Sequence, residues 1–128
     1  MIYGYARVSS AGQAIDGNSL EAQSELLKAN GAQKIFSDVY TGTKLHRPEL
    51  DKLMAEIQPG DTLIVAKLDR IARSVKGGIE IIDSLLAKDV SVNILNMGLM
   101  NNTSTGKLIR NVMLAFAEFE RDMIVERT

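Results

Sequence analysis

The 128-residue sequence has no cysteine, no tryptophan, two prolines and a single histidine. Without cysteine it forms neither a disulfide nor a thiolate metal site, which suits a reducing cytoplasm. His46 lies in a polar loop beside Arg47, where an imidazole is ordinarily a solvated side chain, and no second histidine pairs with it. No carboxylate pair or histidine cluster has metal-ligand spacing, which argues against a metal-dependent nuclease. No glycine-rich loop ends in Lys-Ser or Lys-Thr, so the phosphate cradle of nucleotide hydrolases is missing. No apolar run approaches a membrane span, and the amino terminus lacks the basic region and cleavage pattern of a signal peptide. These absences predict a soluble, cytoplasmic protein. Charge of one sign is also lacking: 15 Lys and Arg stand against 16 Asp and Glu, a net charge of -1. Any contact with a polyanion must therefore come from a local cluster.

What is present is enough apolar side chain, 45% of the sequence, to bury one core, with no repeat or linker to divide it. Ile2 to Val8 reads as a strand, followed by a polar loop from Ser9 to Asn18 with two glycines. Asn18 or Ser19 caps a helix toward Lys28, with Gly31 just beyond its end. Lys34 to Val39 is a second strand and Thr41 to Arg47 a polar loop. Pro48 opens a helix whose buried face is Leu50, Leu53, Met54 and Ile57, ended by Pro59-Gly60. Asp61 to Leu68 suits a central strand covered on both faces. A helix from about Ser74 to Lys88 and a strand from Val90 to Leu95 follow. Strands alternating with helices predict an α/β domain with a mostly parallel central sheet flanked by helices.

The last segment differs in kind. Asn101 to Ser104 is a good helix start, and Ile109, Val112, Phe116, Phe119 and Met123 then recur at intervals of three, four, three and four, a heptad-like seam. Amphipathic spacing alone does not separate a core helix from an oligomer seam, and one long helix can be both along different parts. The pattern stops within the helix at Thr128, which predicts that the sequence belongs to something longer.

Chemistry-bearing residues gather at two strand ends. Arg7 precedes Ser9 and Ser10, and Lys67, Asp69, Arg70 and Arg73 follow the central strand. Open α/β sheets place their sites where strands finish. A phosphodiester transition state carries extra negative charge, which the planar, permanently charged guanidinium meets well. Arg7, Arg70 and Arg73 fit that task, and Arg47 sits in a loop able to close over them. Ser9 is the best-placed nucleophile, because residues two apart on a strand share a face and nearby guanidiniums favour its alkoxide. Each residue also has a plainer role: Ser9 and Ser10 as turn formers or caps, Asp69 with Arg70 as a surface ion pair, Arg73 on an exposed helix face. Gly77-Gly78 inside a helical pattern points to close packing.

The ordered set Tyr5-Ala6-Arg7-Val8-Ser9-Ser10, Gln13, Gln23, Arg47-Pro48, Lys67-Leu68-Asp69-Arg70-Ile71-Ala72-Arg73, Gly106-Lys107 and Glu118-Phe119-Glu120-Arg121 through Thr128 resembles the catalytic domain of the serine recombinases. That family comprises resolvases, DNA invertases and serine integrases. The resemblance implies that Ser9 attacks a phosphate of double-stranded DNA, leaving a 5′-phosphoserine link and a free 3′-hydroxyl. It implies that Arg7, Arg70 and Arg73 hold the phosphate, that Asp69 and Arg47 position groups or assist proton transfer, and that Gln13 and Gln23 support the nucleophile loop. Ser10 and Lys67 are candidate phosphate-contacting neighbours. The bond energy kept in the covalent link removes the need for ATP, a metal or any other cofactor.

The family's long final helix, here from about residue 103, implies a homodimer that assembles into a synaptic homotetramer, with Glu120 and Arg121 in the interface segment. A separate DNA-binding region would follow the catalytic domain, beyond residues 1–128. The segment from Ile15 to Gln23 is longer than in typical small resolvases and looks more like the large integrases, so either branch remains open. Two other classes compete: a phosphate- or nucleic-acid-binding α/β regulatory module that does not cut, and an oligomerisation domain built on the final helix.

Overall fold

The computed structural model describes residues 1–9, 20–40, 48–71 and 75–127. Along the chain the elements are β1 (Ile2–Ser9), α1 (Leu20–Ala29), β2 (Lys34–Tyr40), α2 (Pro48–Glu56), β3 (Thr62–Val65), a 3-10 turn at Leu68–Arg70, α3 (Val75–Ala87), β4 (Ser91–Ile94), β5 (Gly98–Met100) and α4 (Ser104–Arg127). The strands form one sheet in the order β2-β1-β3-β4-β5. All neighbouring pairs are parallel except β4 with β5.

Strand order dictates where the helices go. From β1 the chain steps one way to β2, then returns past β1 to β3 and continues to β4. Right-handed crossovers therefore put α1 on one face and both α2 and α3 on the other. Packing agrees with that rule. Tyr3, Tyr5 and Phe36 of the sheet meet Leu50, Leu53 and Ile57 around α2 and Ile79, Ile82 and Leu85 of α3 in the larger core. The opposite face holds a thin layer of Ala6, Leu27 and Ile64, flanked by Ile2, Leu20 and Ile35.

The elements predicted from apolar period and turn chemistry are present, with two differences. The central strand is shorter than Asp61 to Leu68, because the chain leaves the sheet after Val65 and winds into the 3-10 turn. A fifth strand, three residues long, had no signal above its surroundings. It is reached through a turn in which Met97 N–H donates to the Ile94 carbonyl, and Gly98 adopts φ 133°, a conformation that glycine tolerates best. A Cβ on Gly98 would also stand 3.1 Å from Ile109 Cδ1 of α4.

The final helix has 24 residues, about 36 Å at 1.5 Å per residue. Thr103 caps it: its hydroxyl accepts from Gly106 N–H at 3.2 Å and its carbonyl from Lys107 N–H at 2.9 Å. Asn101 in turn accepts from the Thr103 N–H at 3.0 Å and from the Thr103 hydroxyl. Further along, the guanidinium of Arg110 grips Asp83 of α3 through Nε and Nη2. The seam of evenly spaced apolar residues does not behave as one face. Ile109 packs on the core, whereas Val112, Phe116 and Phe119 are 60%, 50% and 58% exposed, and the fully buried residue is Met113, outside the seam. The face of α4 that packs on the core carries Ile109, Met113 and Leu114, so burial follows that face and not the seam. Glu120 and Arg121 lie on the helix backbone within Ser104–Arg127.

Gly106 is enforced by contact, since an added Cβ would overlap the side-chain oxygen and the backbone nitrogen of Asn101. Gly106→Ala is expected to cost about 1–3 kcal/mol of stability through overpacking against main chain. Urea unfolding measures it, and an unchanged midpoint would mean that the helix start shifts freely.

Candidate active site

The reversal of strand order between β1 and β3 makes a crevice at their carboxyl ends, the place where sheets of this kind bind ligands. The two strands finish at different heights. Pairing of β1 with β3 stops at Tyr5 opposite Val65, while pairing with β2 continues to Ser9 opposite Tyr40. The Met1 carbonyl accepts from Thr62 N–H on the β3 side, and the two-residue repeat of a strand carries that orientation to Tyr3, Tyr5 and Arg7. At Arg7 the β3 side has no strand left to meet it. Gln23, buried on α1, takes that place: its Oε1 accepts from Arg7 N–H at 3.3 Å and its Nε2 donates to the Arg7 carbonyl at 3.1 Å. A side-chain amide has the same donor and acceptor as a peptide group, so one glutamine extends the ladder by one rung.

Beyond Val65 the chain runs through Ala66 and Lys67 into the 3-10 turn, closed by Arg70 N–H to the Lys67 carbonyl at 3.1 Å and Ile71 N–H to the Leu68 carbonyl at 3.0 Å. Ile71 is fully buried and anchors the turn in the core. Leu68 faces Gly78 of α3 so closely that a Cβ there would lie 2.5 Å from Leu68 Cδ1. The close packing expected of Gly77-Gly78 is present at Gly78, and it seats the turn that bears Arg70. Lys67 is exposed and Arg70 half-buried. Both line, together with Gln23, an open hollow of ≈ 260 Å³ beside α1.

A second polar cluster went unnoticed in the sequence. Asp38, on β2 and buried, accepts from the Tyr5 hydroxyl at 2.7 Å and from the backbone N–H groups of Glu49 and Leu50 at 3.1 and 3.2 Å. Those N–H groups belong to the first turn of α2, so a carboxylate from a neighbouring strand caps that helix and meets the positive end of its dipole. The signal was an acid within a strand, between Ser37 and Val39. Its meaning depended on α2 folding back onto it.

Of the candidate residues named above, the structure brings Gln23, Lys67 and Arg70 to one hollow, and Arg7 joins them through the main-chain bonds it makes with Gln23. For Ser9 and Asp69 it describes the backbone, at the end of β1 and within the 3-10 turn. Ser10, Gln13, Arg47 and Arg73 lie outside the described residues, although Arg47 adjoins the first residue of α2. Among the described residues no group of three or more His, Asp or Glu is placed to hold a metal ion. The arrangement offers the Arg70 guanidinium and the Lys67 ammonium beside the carboxyl end of β3, a setting suited to a phosphate.

Comparison with known proteins points the same way. The sequence model of the family described as "Resolvase, N terminal domain" matches residues 2–128. The chain is 42% identical over 130 residues to the transposon Tn552 resolvase of Staphylococcus aureus and 40% identical over 130 residues to the transposon Tn917 resolvase of Enterococcus faecalis. Both alignments take in the whole chain and 64% and 67% of those relatives, so the chain spans about two thirds of their length. Its fold is similar to the crystal structure of the N-terminal catalytic domain of TP901-1 integrase, with a TM-score of 0.72 at 29% identity, covering 95% of this chain and 97% of that one.

Gln23→Leu keeps the bulk of the side chain and removes both bonds to Arg7. Loss of a partner for main-chain groups in a partly buried setting costs about 1–3 kcal/mol, so urea unfolding should shift by that amount and amide exchange at Arg7 should accelerate. Unaltered exchange would show that Gln23 does not hold the strand end.

Proposed function

We propose, of a chain that belongs to the resolvase N-terminal domain family of serine recombinases, that it is the catalytic domain of a site-specific DNA recombinase. Its substrate is double-stranded DNA. The Ser9 hydroxyl oxygen forms a bond to a backbone phosphorus, the bond from phosphorus to the 3′ oxygen breaks, and the serine proton ends on the departing 3′ oxygen. One phosphodiester replaces another, so the link is reversible and a new 3′-hydroxyl can reclaim the phosphate without nucleotide hydrolysis. Arg7, Arg70 and Arg73 stabilise the charge that builds on the phosphate oxygens. Asp69 and Arg47 orient the reacting groups, Gln13 and Gln23 support the nucleophile loop, and Ser10 and Lys67 contact flanking phosphate.

The observation that carries this reading is the hollow at the strand-order reversal, where Lys67 and Arg70 lie beside Gln23, the residue that bonds the main chain of Arg7. An uncharged ligand would gain nothing from paying the desolvation of these cations, whereas a phosphodiester offsets it. Residues 1–128 are then the catalytic domain with the first part of the interface helix, and base recognition belongs to a region of the longer protein. The small net charge of -1 fits that division of labour, since most affinity for DNA comes from phosphate contacts. No helix among the described residues is long and apolar enough to cross a membrane. The enzyme works on DNA in the cytoplasm of a bacterial host.

Oligomerisation uses the outer face of α4. Leu108, Val112, Phe116 and Phe119, spaced four, four and three, are each at least half exposed, and the area they offer is covered by a second copy in a dimer that pairs into a tetramer. Ile109 and Met123 flank that face, and Glu120 and Arg121 lie toward its far end.

Ser9→Ala should abolish covalent protein–DNA complex, read by denaturing gel on a plasmid carrying the DNA that flanks the gene, with the melting temperature unchanged. Persistent covalent complex in the variant would end the assignment of Ser9. Val112→Glu with Phe116→Glu places charge in the paired face and should shift sedimentation to monomer, while an unshifted profile would locate the contact elsewhere.

A further inference from the structure

The hollow beside Arg70 has walls of a different character from its rim. Ala22 and Leu26 of α1 face Ala66 after β3 and Leu95 after β4, while Gln23, Lys67, Arg70 and Asn96 supply the polar edge. Leu26 is 45% exposed, an apolar side chain left at the mouth of the hollow. Four aliphatic walls with two cations at one side match a molecule that is itself apolar beside an anion.

We propose that this hollow receives the deoxyribose of the nucleotide adjoining the phosphate held at Arg70. The inference rests on the recombinase reading above and extends it from the reacting phosphate to its neighbour. A DNA strand alternates anionic phosphates with sugars whose carbon faces are apolar, so a cationic rim joined to an aliphatic wall follows one repeat of that alternation. None of the described residues that line it is aromatic, and binding of an unstacked base ordinarily depends on an aromatic platform. The sugar is therefore the better fit. The volume of ≈ 260 Å³ lies below the usual range of small-molecule pockets, about 300–1,000 Å³, and accommodates one sugar rather than a stretch of strand. Sugar contacts set position without reading sequence, so the hollow contributes equally to every site the enzyme cuts.

Leu26→Trp, on the exposed side of α1, fills the hollow and leaves the cationic residues untouched. The expected result is about a tenfold slower formation of the Ser9–DNA link at unchanged melting temperature. Replacing the neighbouring deoxyribose of the DNA by a propyl spacer should slow the wild-type protein to a similar extent and add nothing in Leu26→Trp. Cleavage by Leu26→Trp within twofold of wild type, or spacer and tryptophan losses that multiply, would overturn the proposal. So would a changed oligomeric state with cleavage intact, which would make the hollow a contact between copies. If the wild-type protein forms no Ser9–DNA link at all, the recombinase reading fails by itself. The hollow is then judged by titrating thymidine 5′-monophosphate against methyl resonances of Leu26, Ala66 and Leu95: shifts lost in Leu26→Trp support it, and their absence refutes it.

Discussion

The unequal length of β1 and β3 is the constraint on which the site depends. Because β3 leaves the sheet at Val65, the last turnings of β1 stand beside an empty rung, and a main chain with unmet donors and acceptors there would be costly. Gln23 fills the rung from α1. That one amide ties helix to strand, and the same side chain forms part of the wall of the hollow beyond it. The early exit of β3 gives the chain room to wind into the turn that carries Lys67 and Arg70, so the gap in the sheet and the gathering of cations have a common origin.

Packing on the two faces differs for a related reason. One face is thickly covered by α2, α3 and the start of α4, and its core contains most of the large buried side chains. Among the described residues, the other has α1 over a layer of small and branched residues. The thick face supplies cooperative stability, and the anchor residue Ile71 draws the 3-10 turn onto it. On the thin face the hollow lies between α1 and the residues that follow β3 and β4. Rigidity and access are thus assigned to opposite sides of the same sheet, and the short 3-10 turn connects them.

Asp38 shows how a buried charge is accommodated in that core. Its carboxylate is met by a phenol hydroxyl and two helix-start N–H groups, so every element it touches satisfies it. A buried polar group placed this way specifies a single arrangement of β1, β2 and α2, because any slip leaves it without partners. The first residue of α2 follows Arg47 directly in the sequence, and the cap therefore fixes where α2 begins.

Much of this was legible in the sequence. Helix and strand periods, Pro48 as a helix opener, the glycines ending elements and the cationic run after the third strand follow from local chemistry, which needs only neighbours in the chain. The family was legible too, through the order of short motifs. The three-residue β5 was not, since so few residues carry no period. The partners of Asp38 and Gln23 were equally hidden, because each bonds to groups 11 to 33 positions away. Spacing along α4 identified apolar residues without saying which of them meet the core, and only the docking of the folded helix buried Met113 while leaving Val112 and Phe116 outside. The sequence by itself determined which elements form and which charges they bear. The tertiary structure decided which of those groups face one another, since contact across a sheet depends on strand order, strand length and the angle at which helices lie on it.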